Sequence, residues 1–145
     1  MVNNKVGLAI GITLLAGLTA CSSSLQVEPA LGAASQFCIE LGAVLPVSVG
    51  GELLRGTDPE SPGTKAWGDP AIVLRCGVAE PASFSATSQL LSVNQLSWYP
   101  EELQAGVRFT TLETTELVEV SIPSIYQSPA DILTDLSSEI SSLIP

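Results

Sequence analysis

Ala66-Trp67-Gly68-Asp69-Pro70-Ala71-Ile72-Val73-Leu74-Arg75-Cys76-Gly77-Val78 is the stretch on which the fold turns. Gly68-Asp69-Pro70 carries turn chemistry, and the run after it is short, apolar and rich in β-branched residues, closed by Gly77 and then by Pro81. It reads as a central strand. Alternation puts Ile72, Leu74, Cys76 and Val78 on one face and Val73, Arg75 and Gly77 on the other. Cys76 is therefore expected to point into the core, and Arg75 to need solvent or an acidic partner.

Working outward to the amino terminus, Met1-Val2-Asn3-Asn4-Lys5 is followed by Val6 to Leu18, apolar apart from Thr13, and then by Leu18-Thr19-Ala20-Cys21. The order of a short basic region, an apolar region and small residues is that of a secretory signal peptide. The apolar run is shorter than the roughly 20 residues a membrane-spanning helix needs. Leu18-Thr19-Ala20-Cys21 resembles the bacterial lipobox, in which the cysteine thiol accepts a diacylglyceryl group. The expectation is a lipoprotein signal peptide over 1–20, acylation at Cys21, a flexible tether over 21–34 and a single domain over 35–145. Such a protein sits on the outer face of the cytoplasmic membrane, and two acyl chains hold far more firmly than one.

Within the domain, Phe37, Cys38, Leu41, Val44 and Leu45 form one helical stripe between a Ser35 cap and the stop at Pro46. Cys38 thus faces inward, as does Cys76. With Cys21 acylated, a Cys38–Cys76 disulfide is the simplest pairing in an oxidising compartment; two buried free thiols are the alternative. Gly50 to Gly68 reads as a loop because Gly50-Gly51, Gly56, Asp58-Pro59 and Pro62-Gly63 leave no room for a periodic element. Its charges, Glu52, Arg55, Asp58, Glu60 and Lys65, do not match a calcium loop, and Ser61 to Lys65 does not have the spacing of a helical serine/lysine pair.

Further strands are expected at Gln89 to Val93, Leu96 to Trp98 (ended by Pro100), Val107 to Leu112 and Leu117 to Ile122 (stopped by Pro123). A last helix begins at the Ser128 cap with Pro129 in its first turn and Asp131 beside the positive end of its dipole. Its inward stripe is Ile132, Leu133, Leu136, Ile140, Leu143 and Ile144. The fold class that results is α+β: a small antiparallel sheet of about four to five strands with an N-terminal and a C-terminal helix packed on it.

Composition narrows function more than it assigns it. Five basic residues against fifteen acidic ones give a net charge of -10, and losing Lys5 with the leader would make it -11. That charge repels phosphate backbones, so nucleic acid is a poor partner. The sequence has no histidine, which removes the usual general base, the commonest transition-metal ligand and the usual hydrolase triad. No metal site and no cofactor are expected. The candidate surface is Trp67, Asp69, Arg75, Trp98 and Glu119, with Arg75 expected to pair with Asp69 or Glu119 and both tryptophans serving the core first.

The order Cys38, Ala66-Trp67-Gly68-Asp69-Pro70, Leu74-Arg75-Cys76-Gly77-Val78, Pro81, Trp98, Val118-Glu119-Val120 and Pro123 resembles an actinobacterial envelope family known as domain of unknown function 3515. The resemblance implies a small, membrane-tethered, outward-facing protein and brings with it no catalytic residue and no ligand. Some relatives keep an N-terminal membrane anchor in place of the lipobox. Relatives often have a glycine turn near Val93-Asn94; Gln95 here weakens the case for a two-residue primed turn. The expected function is a non-catalytic binding or accessory module for another envelope component. A carrier or sensor of a small apolar or lipid ligand held between helix and sheet is the alternative. An enzyme would need a carboxylate pair such as Asp69 and Glu119 as acid and base.

Overall fold

A computed structural model describes residues 23–145. The expected leader and Cys21 lie outside the described residues. In chain order the elements are β1 (Leu25–Gln26), α1 (Gln36–Val44), β2 (Ser48–Val49), β3 (Glu52–Arg55), β4 (Thr57–Asp58), β5 (Thr64–Trp67), β6 (Ile72–Val78), β7 (Leu91–Val93), β8 (Leu96–Leu103), β9 (Gly106–Thr111), β10 (Leu117–Pro123) and α2 (Pro129–Ser142). Eight strands form one antiparallel sheet in the order β2-β3-β5-β6-β10-β9-β8-β7, and β1 pairs in parallel with β4 as a small second sheet.

The mixed α and β architecture with two helices agrees with expectation, but the sheet is larger than the expected four to five strands. The difference comes from β2 at Ser48–Val49 and from Gly50 to Gly68, expected as a loop, which contributes β3 and β5 to this sheet and β4 to the small one. Each is too short to show a period in sequence, and Arg55 and Lys65 interrupt their apolar character. What makes β5 a strand is its pairing: Thr64↔Arg75 through Trp67↔Ile72 on one side and Leu54↔Trp67 on the other. Non-local partners of this kind leave no local mark. β8 likewise runs on through Pro100 to Leu103. Proline is tolerated there because β7 pairs β8 only from Leu96 to Trp98, so the outer edge beyond Trp98 has no ladder to break.

β6 lies at the centre of the sheet, and its alternation is as expected. Ile72, Leu74 and Cys76 are almost fully buried, together with Val118, Val120, Ile122, Trp67 and Trp98 on the neighbouring strands. Both helices cover this face. In α1, Ser35 caps the first turn by accepting from the Cys38 backbone N–H at 3.3 Å. In α2, Pro129 opens the helix and Asp131 lies in the first turn, but the Ser128 side chain makes no capping hydrogen bond. Ile132, Leu133, Leu136 and Ile140 press on the sheet. Cys38 and Cys76 are joined across the layers as a disulfide with Cα atoms 5.6 Å apart.

Two further expectations give way. Asn94 and Gln95 both have positive φ, 48° and 67°, and Val93 pairs with Leu96 across them. A two-residue primed turn therefore forms without glycine. Residues 25–34, expected within the tether, are part of the fold. β1 lies along β4, Ala30 and Ala33 are buried, and the Gly32 N–H donates to the Gly77 carbonyl at 3.0 Å. This strap crosses the sheet face opposite the helices. Its path depends on glycine, since Gly77 has φ +83° and a Cβ there would stand 2.2 Å from the Gly32 carbonyl carbon.

Candidate functional site

Because antiparallel partners share a face, the sheet register states which side chains meet beneath the strap. One rung holds Thr64, Arg75, Glu119, Thr110 and Tyr99; the next holds Ala66, Val73, Ser121, Arg108 and Glu101. Arg75 is directly opposite Glu119, and Arg108 is diagonal to it. Arg75 Nη1 donates to Glu119 Oε1 at 3.0 Å. Arg108 Nε stands 3.7 Å from Glu119 Oε2, and Arg108 Nη1 stands 4.0 Å from Glu101 Oε2. Glu119 is 8% exposed, so the row Arg75–Glu119–Arg108 is a half-buried ionic line on an otherwise modestly polar face.

The line is under-bonded. Arg75 Nε and Arg108 Nε are buried and have no hydrogen-bond partner among the described residues. A guanidinium has five donors, and a buried donor left unpaired costs free energy, so such groups call for an acceptor. Between the strap and the sheet a recess of about 590 Å³ opens onto Arg75, Arg108 and Glu119, with Leu25, Val27 and Pro123 among its apolar walls. A second recess of about 670 Å³, bounded by Ala30 to Gly32 and by Gly77, reaches the same Arg75 and Glu119. The two guanidiniums can donate to oxygen acceptors, and Glu119 can accept from a hydroxyl or amide. The walls suit an apolar flank. This is the chemistry of recognition, with polar groups fixing orientation inside a mostly apolar concavity.

Of the five residues singled out in the sequence, only Arg75 and Glu119 meet. Trp67 and Trp98 are fully buried on the opposite, helix-facing side. Trp67 Nε1 donates to the Pro46 carbonyl at 2.9 Å, and Trp98 Nε1 to Ser137 Oγ at 3.0 Å. With these rings the layer between helices and sheet is filled. Asp69 goes elsewhere: its side chain is 91% exposed and its ion pair is with Arg55, at 3.5 Å. Nearby, Tyr126 Oη donates to the Pro70 carbonyl at 2.6 Å. Burial first, then the charges of Glu52 and Asp69, push the Tyr126 phenol above its usual range, so it stays a donor.

Arg108 and the strap were missed. For Arg108 the signal was available: with Val107 and Phe109 inward, Arg108 must share a face with Arg75 and Glu119. For the strap only Gly77 hinted at it, as glycine inside a strand marks a close backbone approach. Among the described residues no group of acidic or cysteine side chains is arranged to hold a metal ion, and no helix is long and apolar enough to cross a membrane.

Fold and site together define a class: a disulfide-tied α+β domain whose N-terminal segment straps a groove on the open face of its sheet. The chain belongs to the family described as protein of unknown function DUF3515, whose profile matches residues 6–145. No curated protein and no solved structure matches it.

Proposed function

We propose that this protein is a lipid-anchored, non-catalytic binding module of the cell envelope, attached through Cys21 to the outer face of the cytoplasmic membrane, and that recognition occurs in the strapped groove. The observation that carries the reading is the under-bonded ionic line: two arginines share one glutamate at the floor of a recess with apolar walls. In a chain with only five basic residues, two of them converge here. A partner that presents oxygen acceptors next to an apolar group satisfies both guanidiniums. The anchor rests on the sequence pattern Leu18-Thr19-Ala20-Cys21, and the disulfide suits an oxidising compartment.

The alternative of a small apolar or lipid ligand moves to the same groove, since the helix side of the sheet is filled. One experiment addresses both. The full-length protein is gently extracted from its own membranes and weighed natively beside an Arg108→Met variant. The expected result is a bound mass on the native protein that is reduced at least tenfold in occupancy on the variant. A lipid-sized mass selects the carrier, and a polypeptide-sized mass selects the accessory module. A bare chain, or equal occupancy on both proteins, overturns the groove as the recognition site.

A further inference from the structure

In the parallel pair of β1 and β4, alternate residues spend their backbone groups on the partner strand. The Leu25 N–H donates to the Gly56 carbonyl at 2.9 Å, and the Val27 N–H to the Asp58 carbonyl at 3.1 Å. The backbone groups of Gln26 and Glu28 therefore turn to the other side of the strand, where they have no partner among the described residues. β4 packs beside β5, so the open edge of β1 faces across β6 towards β10. An open strand edge is a ready template for another extended chain.

Both recesses of the strapped groove lie on that side. The first is walled by Leu25 to Glu28 of the strap and the second by Ala30 to Gly32, each against residues of β6 and neither against β5. They meet at Arg75 and Glu119, so the groove keeps to the strap from Leu25 to Gly32. A path that follows one chain has the shape of a second chain laid beside it.

We propose that the strapped groove takes an extended polypeptide segment of a partner, added as a strand to the open edge of β1. The proposal rests on the reading that recognition occurs in this groove, and it names the partner's chemistry. Gln26 offers an N–H and a carbonyl, and Glu28 offers the next pair two residues on. In strand addition such main-chain bonds supply affinity, and side chains at alternate positions supply specificity.

The floor states what those side chains are. Arg75 and Arg108 carry two positive charges, and Glu119 and Glu101, each paired with one or both of them, carry two negative ones. No net positive charge is left to draw a phosphate or another multiply charged anion. What the floor sets side by side is donors and acceptors, with the Ser121 hydroxyl next to them. A carboxamide, which has one acceptor oxygen and two N–H donors, matches that mixture. Val73, Ala71 and Pro123 flank it. Since every second residue of a strand shares a face, an asparagine or glutamine with apolar residues at alternate positions fits.

The test uses the full-length protein in detergent micelles and a phage-displayed library of short random peptides. Fluorescein-labelled copies of the enriched peptides are then titrated by polarisation. The expected sequences carry a carboxamide between apolar residues at alternate positions. Backbone N-methylation of these peptides is expected to weaken binding at least tenfold at every second amide and less than twofold at those between. On the protein, Gln26→Pro removes an N–H that takes no part in the β4 ladder, and it weakens binding at least tenfold, as does Arg108→Met. Gln26→Ala keeps the N–H and stays within twofold. The N-methyl series is read on the unaltered protein, so it decides the matter even where Gln26→Pro fails to fold.

No enriched peptide, methylation effects that do not alternate, or binding that Arg108→Met leaves unchanged overturns strand addition in the groove. An acidic consensus in place of the carboxamide overturns the neutral floor as its basis. Native masses of the protein from its own membranes separate this failure from that of the groove itself. If strand addition falls while an Arg108-dependent, lipid-sized mass is present, the groove stands with a different occupant. If no Arg108-dependent mass is present either, both readings fall.

Discussion

The two faces of the sheet are built from the same strands by alternate residues, yet they solve opposite problems. On the helix side, Leu74, Val118, Val120, Trp67 and Trp98 are closed off from water, and the polar side chains that enter, the two indoles with Thr111 and Ser137, are all hydrogen-bonded. On the strap side, Arg75, Glu119 and Arg108 lie one residue away along the same backbones, half buried, with guanidinium nitrogens that have none among the described residues. A face that satisfies every donor specifies a fold. One that sets two guanidinium groups and a carboxylate beside a recess has the chemistry to bind something else. Position along the strand, not distance from the core, separates the two roles.

The largest way to break the comparison is on the helix side. The Cys38–Cys76 bond ties α1 to the central strand across a separation of 38 residues. In the chain-entropy model a loop of that size is worth about 4 kcal/mol, a large share of a small domain's stability. A Cys38→Ser/Cys76→Ser double variant is expected to lower the unfolding free energy by about that amount, read from urea midpoints at constant slope. A loss under about 1 kcal/mol would mean that the helix face is held by packing alone.

A finer test compares neighbours in one strand. Val120 is fully buried under the helices, and Glu119, the residue before it, is 8% exposed under the strap. Val120→Ala removes buried methyl groups and leaves a gap, an expected cost of about 2 kcal/mol that does not change with salt. Glu119→Gln keeps the shape but takes the counter-charge from Arg75 and Arg108, whose side chains are 32% and 36% exposed. Because water screens them at that exposure, the expected cost is about 1 kcal/mol, and it shrinks as salt rises. Chemical denaturation at low and high ionic strength, with urea as the uncharged denaturant, reads both. Equal salt dependence would show that the two faces do not differ in kind.

How much of this was legible in the sequence follows from the range of the forces involved. β6 was readable because Ile72 to Val78 is a continuous β-branched run between turns, and the disulfide because alternation and helical spacing turned Cys76 and Cys38 inward. β3 and β5 were not, because four-residue segments such as Thr64-Lys65-Ala66-Trp67 become strands through partners elsewhere in the chain. The Arg75–Glu119 pair was within reach once both strands were assigned, but Arg108 was overlooked although the same alternation puts it there. The strap was invisible for a different reason. Ser22 to Ala34 has the small and polar composition of a linker, and from Leu25 to Ala34 the chain is held by backbone contacts such as Gly32 on Gly77 and by the burial of two alanines, neither of which shows as a period in the sequence.

That contrast between glycine and its absence yields the smallest effect. At Gly77 the left-handed backbone is filled by the residue that adopts it freely, whereas the β7–β8 turn asks it of Asn94 and Gln95, at φ 48° and 67°. Asparagine tolerates this conformation through its short polar side chain, and Asn94 Nδ2 also donates to the Thr134 carbonyl at 3.4 Å on α2. Gln95 has no such compensation in the structure. A left-handed residue costs about 1 kcal/mol relative to glycine, and the extra freedom of glycine in the unfolded chain offsets about half of it. Gln95→Gly is therefore expected to stabilise the domain by about 0.5 kcal/mol, a rise of about 2 °C in the melting midpoint by calorimetry. The hairpin is anchored on α2 and lies away from the strap, so Arg108-dependent binding should be unchanged in the same variant. A destabilising Gln95→Gly would mean that the glutamine side chain holds the turn by a contact stronger than the strain it bears.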